Sequence, residues 1–274
     1  MSARVSNSIW YVYGVVPSTM PETVLPAGLD DSGVELERND RIAALVSVLD
    51  GTQYAPAALE TKSGDVEWLS PRAVAHDRVL TWASDHGAVV PLPMFSLFSG
   101  QQAVHEMLSE RSSQLSSALS RVALGREYAL RVYRVDAELL GAATSLSPRL
   151  SEMATVAESA SPGQRYLLER KLEGEKKTEL RSLSQRIVDE IVRELEPHAA
   201  RMVRSPIPRA GDAEAATRGT MVLNAAFLVA PDQFEALQQA LSSLVARHGA
   251  HGFRFDFTGP WPPYHFVNEP VDGE

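Results

Sequence analysis

The 274-residue chain contains no cysteine. Disulfide bonds, thiolate-bound metals, iron–sulfur clusters and cysteine nucleophiles are therefore excluded, and the chain is compatible with a reducing cytosol. It also lacks an apolar run of the ~20 residues that span a bilayer. The first apolar run, Ile9 to Val16, has only Arg4 before it and stops at Pro17, so we interpret it as a strand and not as a signal peptide.

Basic residues are fewer than acidic residues. The chain carries 26 Lys and Arg against 35 Asp and Glu, a formal net charge of −9. Nucleic-acid binding relies on basic side chains that neutralise phosphates, and docking on anionic lipid needs them too. We therefore expect neither nucleic acid nor a lipid membrane as a partner. The hydrophobic content of 44% is typical of a globular protein.

Motifs that signal catalysis, phosphate binding or metal binding are also missing from the sequence. Among the scattered histidines, His248 and His251 have no further ligands at suitable spacing, so we interpret them as a solvated helix end. For His265 we expect a hydrogen bond from the ring to a local carbonyl. The sequence thus predicts no catalytic, cofactor-binding or metal-binding residue, and no cofactor.

The most distinctive feature that is present is GPWPPYHF, residues Gly259–Phe266, which we call the proline–aromatic segment. Its three prolines fix φ and remove three backbone donors, so neither a helix nor a central strand can pass through it. Trp261, Tyr264 and Phe266 must pack on this protein's own core or meet a partner. The P-x-x-P spacing also permits a polyproline ligand, but the phenylalanines that precede the segment favour self-packing.

Periodicity divides the first 124 residues into mixed elements. It predicts a strand with a bulge or close backbone approach at Gly14 and a hairpin that turns at Asn39-Asp40. It further predicts a helix from Ser70-Pro71 to Gly87. A short buried strand within 88–95 and one helix over 101–123 complete the predicted set.

From residue 125 the pattern predicts strand, helix, loop or strand, strand, helix, strand. The first helix is long and charged, about 35 residues from Pro162, with an apolar stripe from Leu180 to Leu195 and a Glu173–Lys177 pair. The last strand is predicted to end at Thr258. This order is that of a ferredoxin-like split βαβ module. The sequence therefore predicts an α+β protein with two α+β domains, 1–124 and 125–258, and a tail, 259–274.

Six segments then carry a family resemblance. They are YVYGVV (11–16), PLPMF (91–95), GREYALRVY (125–133), SPGQRYLLERKLE (161–173), LNAAFLV (223–229) and TGPWPPYHF (258–266). Together, and in this order, they resemble the gas vesicle protein family GvpF/GvpL. The resemblance spans nearly the whole chain.

The resemblance implies a non-enzymatic minor structural or accessory component, located in the gas vesicle in the cytoplasm. It implies a role in nucleation and assembly of the shell, through contacts with the main shell protein and other accessory proteins. It also implies two α+β domains, the C-terminal one ferredoxin-like. A protein that seeds a shell needs exposed apolar anchors on a rigid body. The candidate protein-contact residues are Trp261, Tyr264, Phe266, Tyr166 and Leu167.

Two other classes stay open at the level of sequence. A small-ligand-binding protein or enzyme on a ferredoxin-like scaffold would require a deep pocket with converging polar groups and shifted pKa values. A general adaptor unrelated to gas vesicles would differ by not binding the shell protein.

Overall fold

A computed structural model describes residues 8–21, 24–208 and 218–267. The described residues form two compact units, one from 8–127 together with 260–267 and the other from 128–259. The chain thus passes from one unit to the other between Glu127 and Tyr128 and again between Gly259 and Pro260. We call these the N-terminal and C-terminal units. Both combine helices with an antiparallel sheet, so the α+β class is confirmed.

The N-terminal unit is built on one sheet. Its strands are β1 (Ser8–Pro17), β2 (Glu35–Arg38), β3 (Ile42–Asp50), β4 (Val90–Pro91) and β5 (Leu97–Phe98). Its helices are α1 (Pro56–Lys62), α2 (Val66–His86), α3 (Gln101–Glu110) and α4 (Ser112–Val122). The strand order is β2-β3-β1-β4, and β5 also pairs with β1. The predicted hairpin is present, and the Asn39 side-chain oxygen closes its turn by accepting from the amides of Arg41 and Ile42.

The central strand β1 is buried on both faces because helices cover both sides of the sheet. Trp10, Val12 and Val15 pack in one core with α3 and α4, whereas Tyr11 and Tyr13 pack in the other with α2. The side-chain alternation changes phase at a bulge between Val12 and Gly14. A Cβ at Gly14 would lie 2.8 Å from the carbonyl oxygen of Val90, which confirms the predicted close approach.

Two helix predictions for this unit were wrong. Helix α2 begins at Val66 and not at Pro71, because Asp65 caps it by accepting from the amides of Glu67 and Trp68. Pro71 lies inside the helix. The single helix predicted over 101–123 is two helices separated by Arg111, whose φ of −102° and ψ of 13° interrupt the helical backbone. The interruption redirects the chain, so that buried side chains of both helices join the same core.

The C-terminal unit takes up the rest of the described chain. Its strands are β6 (Arg126–Arg134), β7 (Arg201–Arg204), β8 (Thr220–Val229) and β9 (Phe253–Trp261). The start of β6 and the end of β9 belong to the N-terminal unit. Its helices are α5 (Asp136–Leu146), α6 (Pro148–Ser159), α7 (Pro162–Leu195) and α8 (Phe234–His248). The strand order is β7-β8-β6-β9. The specific ferredoxin-like assignment stays a prediction.

Helix α7 supplies much of this unit's core. It has 34 residues, close to the predicted length. Within the predicted stripe, Leu183, Ile187, Ile191 and Leu195 are buried and Leu180 is half-buried. The ion pair of Glu173 differs from the prediction by one position. Its partner is Lys176, at 2.7 Å, and not Lys177.

Strand β9 continues through Pro260 to Trp261, three residues beyond its predicted end. It does so because it is the outermost strand of the sheet, where a proline without an N–H interrupts no ladder on the outer side. A short 3-10 turn, Tyr264–Phe266, follows it. Part of the predicted loop, 209–217, and the end of the chain from 268 lie outside the described residues.

Candidate functional site

The proline–aromatic segment is anchored to the N-terminal unit by a buried carboxylate. Glu127 lies near the start of β6, and its side chain is 2% exposed. Its Oε2 accepts from the backbone amide of His265 at 3.0 Å, and its Oε1 accepts from the ring Nδ1 at 2.7 Å. The ring Nδ1 of His265 thus bonds to a distant carboxylate, where the sequence led us to expect a local carbonyl. The partner lies 138 positions away in the sequence, where local spacing gives no signal.

Two further contacts fix the end of the segment. The Phe266 ring is fully buried. Val267 packs against the core that contains α3 and α4, and its carbonyl oxygen accepts from the Arg121 guanidinium at 3.1 Å. Because proline also restricts φ along the segment, the segment is held at several points.

Two aromatic side chains of the same segment remain on the surface. Trp261 is 44% exposed and Tyr264 is 41% exposed. Partial burial raises the pKa of the Tyr264 hydroxyl to about 12, and the carboxylates of Asp77 and Glu127 contribute. The hydroxyl therefore stays protonated near neutral pH and keeps its donor. Large rings that combine an apolar body with a polar tip are enriched at protein interfaces.

The other two predicted contact residues lie in the C-terminal unit. Tyr166 and Leu167, in the second turn of α7, are 64% and 66% exposed. The five predicted residues therefore divide between the two units. Phe266 differs from the rest because its side chain is within the protein. Contact of any of the five with a partner stays a prediction.

A buried polar cluster in the N-terminal unit was not predicted. The Tyr11 hydroxyl accepts from the amide of Phe95, so its own hydrogen is directed to Nδ1 of His76, 2.6 Å away. The Tyr13 hydroxyl accepts from the amide of Leu29 at 2.8 Å and contacts Ser47 at 3.0 Å. Burial raises the pKa of both tyrosines and lowers that of His76 to about 4. Neutral groups bonded to one another at this depth indicate a structural role.

A second unpredicted cluster surrounds Asp30, whose φ of 50° lies in the left-handed region. Its carboxylate accepts from the Arg72 guanidinium and from the Tyr54 hydroxyl, each at 2.5 Å. The guanidinium also lies over the Trp68 ring at 4.1 Å. The chain makes a short 3-10 turn here, Leu29–Asp31. The side-chain partners come from distant positions.

The C-terminal unit has an open cavity of about 710 Å³. Its charged lining residues pair among themselves: Arg254 with Glu138, Arg134 with Asp136, and Arg218 with Asp256. A site for a charged ligand would instead present groups that lack such partners. Within the described residues, no three acidic or histidine side chains converge in a way that suits a metal ion.

One of the two histidines at the end of α8, His248, differs from expectation. His248 is buried, and its Nε2 lies 3.3 Å from a carboxylate oxygen of Glu190 on α7. Burial lowers its pKa. The predicted solvated helix end is therefore wrong at this residue, because α7 covers the end of the helix.

Comparison with known proteins identifies the family. The family model described as "Gas vesicle synthesis protein GvpL/GvpF" matches residues 9–268. The chain belongs to the GvpL/GvpF family. It is 29% identical to gas vesicle protein L of a Streptomyces species over 96% of this chain and 94% of the relative. It is 26% identical to gas vesicle protein F of the same organism over 94% and 98% of the two chains.

The fold agrees with solved members of the GvpL/GvpF family. The crystal structure of gas vesicle protein GvpF from an Anabaena species superposes with a TM-score of 0.70 at 21% identity. That match covers 96% of this chain and all of the Anabaena chain. The chain is therefore a gas vesicle accessory component that acts with other gas vesicle proteins. Among the described helices, none combines the length and the apolar character that crossing a membrane requires.

Proposed function

We propose that this chain takes part, without catalysis, in nucleation and assembly of the gas vesicle shell in the cytoplasm. It does so by contacting the main shell protein and other accessory proteins. Family membership supports the gas vesicle as the setting. The observation that carries the contact role is the pair of exposed rings, Trp261 and Tyr264, on a segment that Glu127 fixes in place.

The physical reason is that a shell with an apolar face has to be met by apolar anchors. A side chain that is already held in position loses little conformational entropy when it binds. Trp261 and Tyr264 lie on either side of Pro262 and Pro263, which restrict the backbone between them. The net charge of −9 is the reason for excluding nucleic acid and anionic lipid from the proposed partners.

A second contact surface is proposed on α7. Tyr166 and Leu167 are adjacent residues in its charged half, and they are the most exposed large apolar side chains of the helix. Accessory proteins are the proposed partners of this surface, because it belongs to the other unit and need not meet the shell at the same time.

Co-purification with the main shell protein tests the proposal. The double variant W261A/Y264A should keep the fold, because both rings are substantially exposed, and should lose most of the bound shell protein. The variant Y166A/L167A is the matched control for loss of two exposed apolar side chains and should retain shell protein. Unchanged binding by W261A/Y264A in a folded protein would refute the assignment of this surface. Absence of binding by the wild-type chain would refute the shell contact itself.

A further inference from the structure

Strand β9 has a self-complementary sequence along the outer edge of the C-terminal sheet. Residues 253–257 read Phe-Arg-Phe-Asp-Phe, and β9 is the terminal strand in the described sheet order. An edge strand offers backbone donors and acceptors to another strand unless a feature of the edge blocks pairing. We propose that the 253–257 edge pairs antiparallel with the same edge of a second copy, which gives a two-fold symmetric dimer.

The charges on β9 favour a second copy as the occupant. The three phenylalanines contribute to the core of the unit, so Arg254 and Asp256 lie on the opposite face. When two copies pair antiparallel about Phe255, Arg254 of each copy lies opposite Asp256 of the other. Two cross-strand pairs of opposite charge result, and directly opposed charges of this kind stabilise a sheet.

The same charges select one register. A shift of two residues would place Arg254 opposite Arg254, or Asp256 opposite Asp256, and like charges in direct opposition are unfavourable. A shift of one residue would place side chains of the core face against those of the other face. The register centred on Phe255 avoids both faults, and it brings the half-buried Phe255 rings of the two copies together.

The ends of the strand limit the length of the pairing. Gly252 and Gly259 have φ of 87° and 129°, outside the extended region on either side of the stretch. Pro260 has no N–H and cannot continue a ladder. The paired strip is therefore about five residues a copy, below the size of a permanent interface. Reversible association at high local concentration, as at a growing assembly, is the expected behaviour.

Sedimentation velocity of the full chain, from low micromolar to near millimolar concentration, tests the proposal. The wild type should show a reversible monomer–dimer equilibrium. R254E places Glu opposite Asp, and D256R places Arg opposite Arg, so each variant alone should dimerise at least about tenfold more weakly. An equimolar mixture of the two should regain wild-type dimerisation, because the mixed dimer contains only opposite-charge pairs. A wild type that stays monomeric, or single variants that dimerise like it, would overturn the proposal.

A control distinguishes the effect of the edge charges on dimerisation from the effect of the intrachain ion pairs. Arg254 pairs within the chain with Glu138, and Asp256 with Arg218. Asp256 also lies 4.0 Å from Arg131. The double variant E138Q/R218Q removes the closer partner of each edge charge without changing β9 and should keep the dimer. If it dissociates like R254E, the edge charges are not responsible and the proposal fails.

Cross-linking gives a second measurement for the case in which R254E or D256R does not fold. Because the chain has no cysteine, a mixture of R254C and D256C should form one disulfide-linked heterodimer on mild oxidation. R131C, on the neighbouring strand β6, is the matched control and should not cross-link with either. Equal cross-linking of R131C would show that the contact does not follow the proposed register and would overturn it.

Discussion

Glu127 and His265 are joined by two hydrogen bonds, one from the backbone amide of His265 and one from its ring Nδ1, both to a carboxylate that is almost completely buried. The pair fixes the proline–aromatic segment to the N-terminal unit. A buried carboxylate is unfavourable unless it is hydrogen-bonded, so the pair and the segment depend on each other.

Breaking this pair should destabilise the N-terminal unit. H265A removes the ring bond and leaves Oε1 of Glu127 without it, which should cost about 1–3 kcal/mol of unfolding free energy. All four tryptophans, Trp10, Trp68, Trp82 and Trp261, belong to this unit. Urea unfolding followed by tryptophan fluorescence therefore reports on it.

A double-mutant cycle shows whether the two residues act together. E127A removes both bonds, so adding H265A to it should have little further effect. If the two single losses add within about 0.5 kcal/mol, the residues are not coupled and the anchoring role is contradicted.

The buried and exposed rings of the segment should respond differently to truncation. F266A leaves a cavity in the core and should lower the unfolding free energy by about 3–5 kcal/mol. W261A removes a ring that is partly exposed and should cost about 1 kcal/mol or less. Urea midpoints monitored by circular dichroism compare the two, because W261A changes the fluorescence itself. Equal losses would mean that Trp261 is as much a part of the core as Phe266.

Regular periodicity made much of the fold predictable. The strand β1, the close approach at Gly14 and the length of α7 follow from patterns within one element. Helix starts were harder, because Asp65 and Ser70 are both suitable N-caps and only the folded chain shows which one binds free amides. The break at Arg111 depends on how two helices pack on one sheet.

The candidate site was only partly predictable. Its composition identified the proline–aromatic segment as distinctive, and the size of their rings made Trp261 and Tyr264 candidate contact residues. The partner that holds the segment, Glu127, is an ordinary strand residue in the sequence. Its role arises because the chain brings the start of β6 beside His265, and no spacing rule connects residues that far apart.

Gly28 provides a test of the unpredicted tyrosine cluster. A Cβ added there would lie 2.1 Å from the Tyr13 hydroxyl and 2.7 Å from the Ser47 hydroxyl. G28A should therefore displace Tyr13 and cost about 1–3 kcal/mol of unfolding free energy, as overpacking does. Gly33 is the matched control, because a Cβ there meets no atom within 4 Å. Urea unfolding should find G33A close to wild type, and an equally stable G28A would contradict the close packing.

The buried His76 should make the N-terminal unit less stable in mild acid. Burial lowers its pKa to about 4, whereas an unfolded-chain histidine titrates near 6.5. Between these values the unfolded state binds more protons than the folded state. The contribution to stability is therefore complete above about pH 6.5 and is lost as the pH falls towards 4. A shift of this size corresponds to about 3 kcal/mol.

The variant H76Q isolates this contribution, because glutamine does not titrate and still offers an oxygen to the Tyr11 hydroxyl. Carboxylates also begin to titrate near pH 4, so the informative quantity is the difference between wild type and H76Q. Urea unfolding monitored by tryptophan fluorescence should show a difference that is constant above pH 7 and shifts in favour of H76Q as the pH falls from 6.5 to 4.5. Parallel pH profiles for the two proteins would mean that His76 is not held neutral by burial, and the Tyr11–His76 hydrogen bond would then have to be reassigned to a protonated ring.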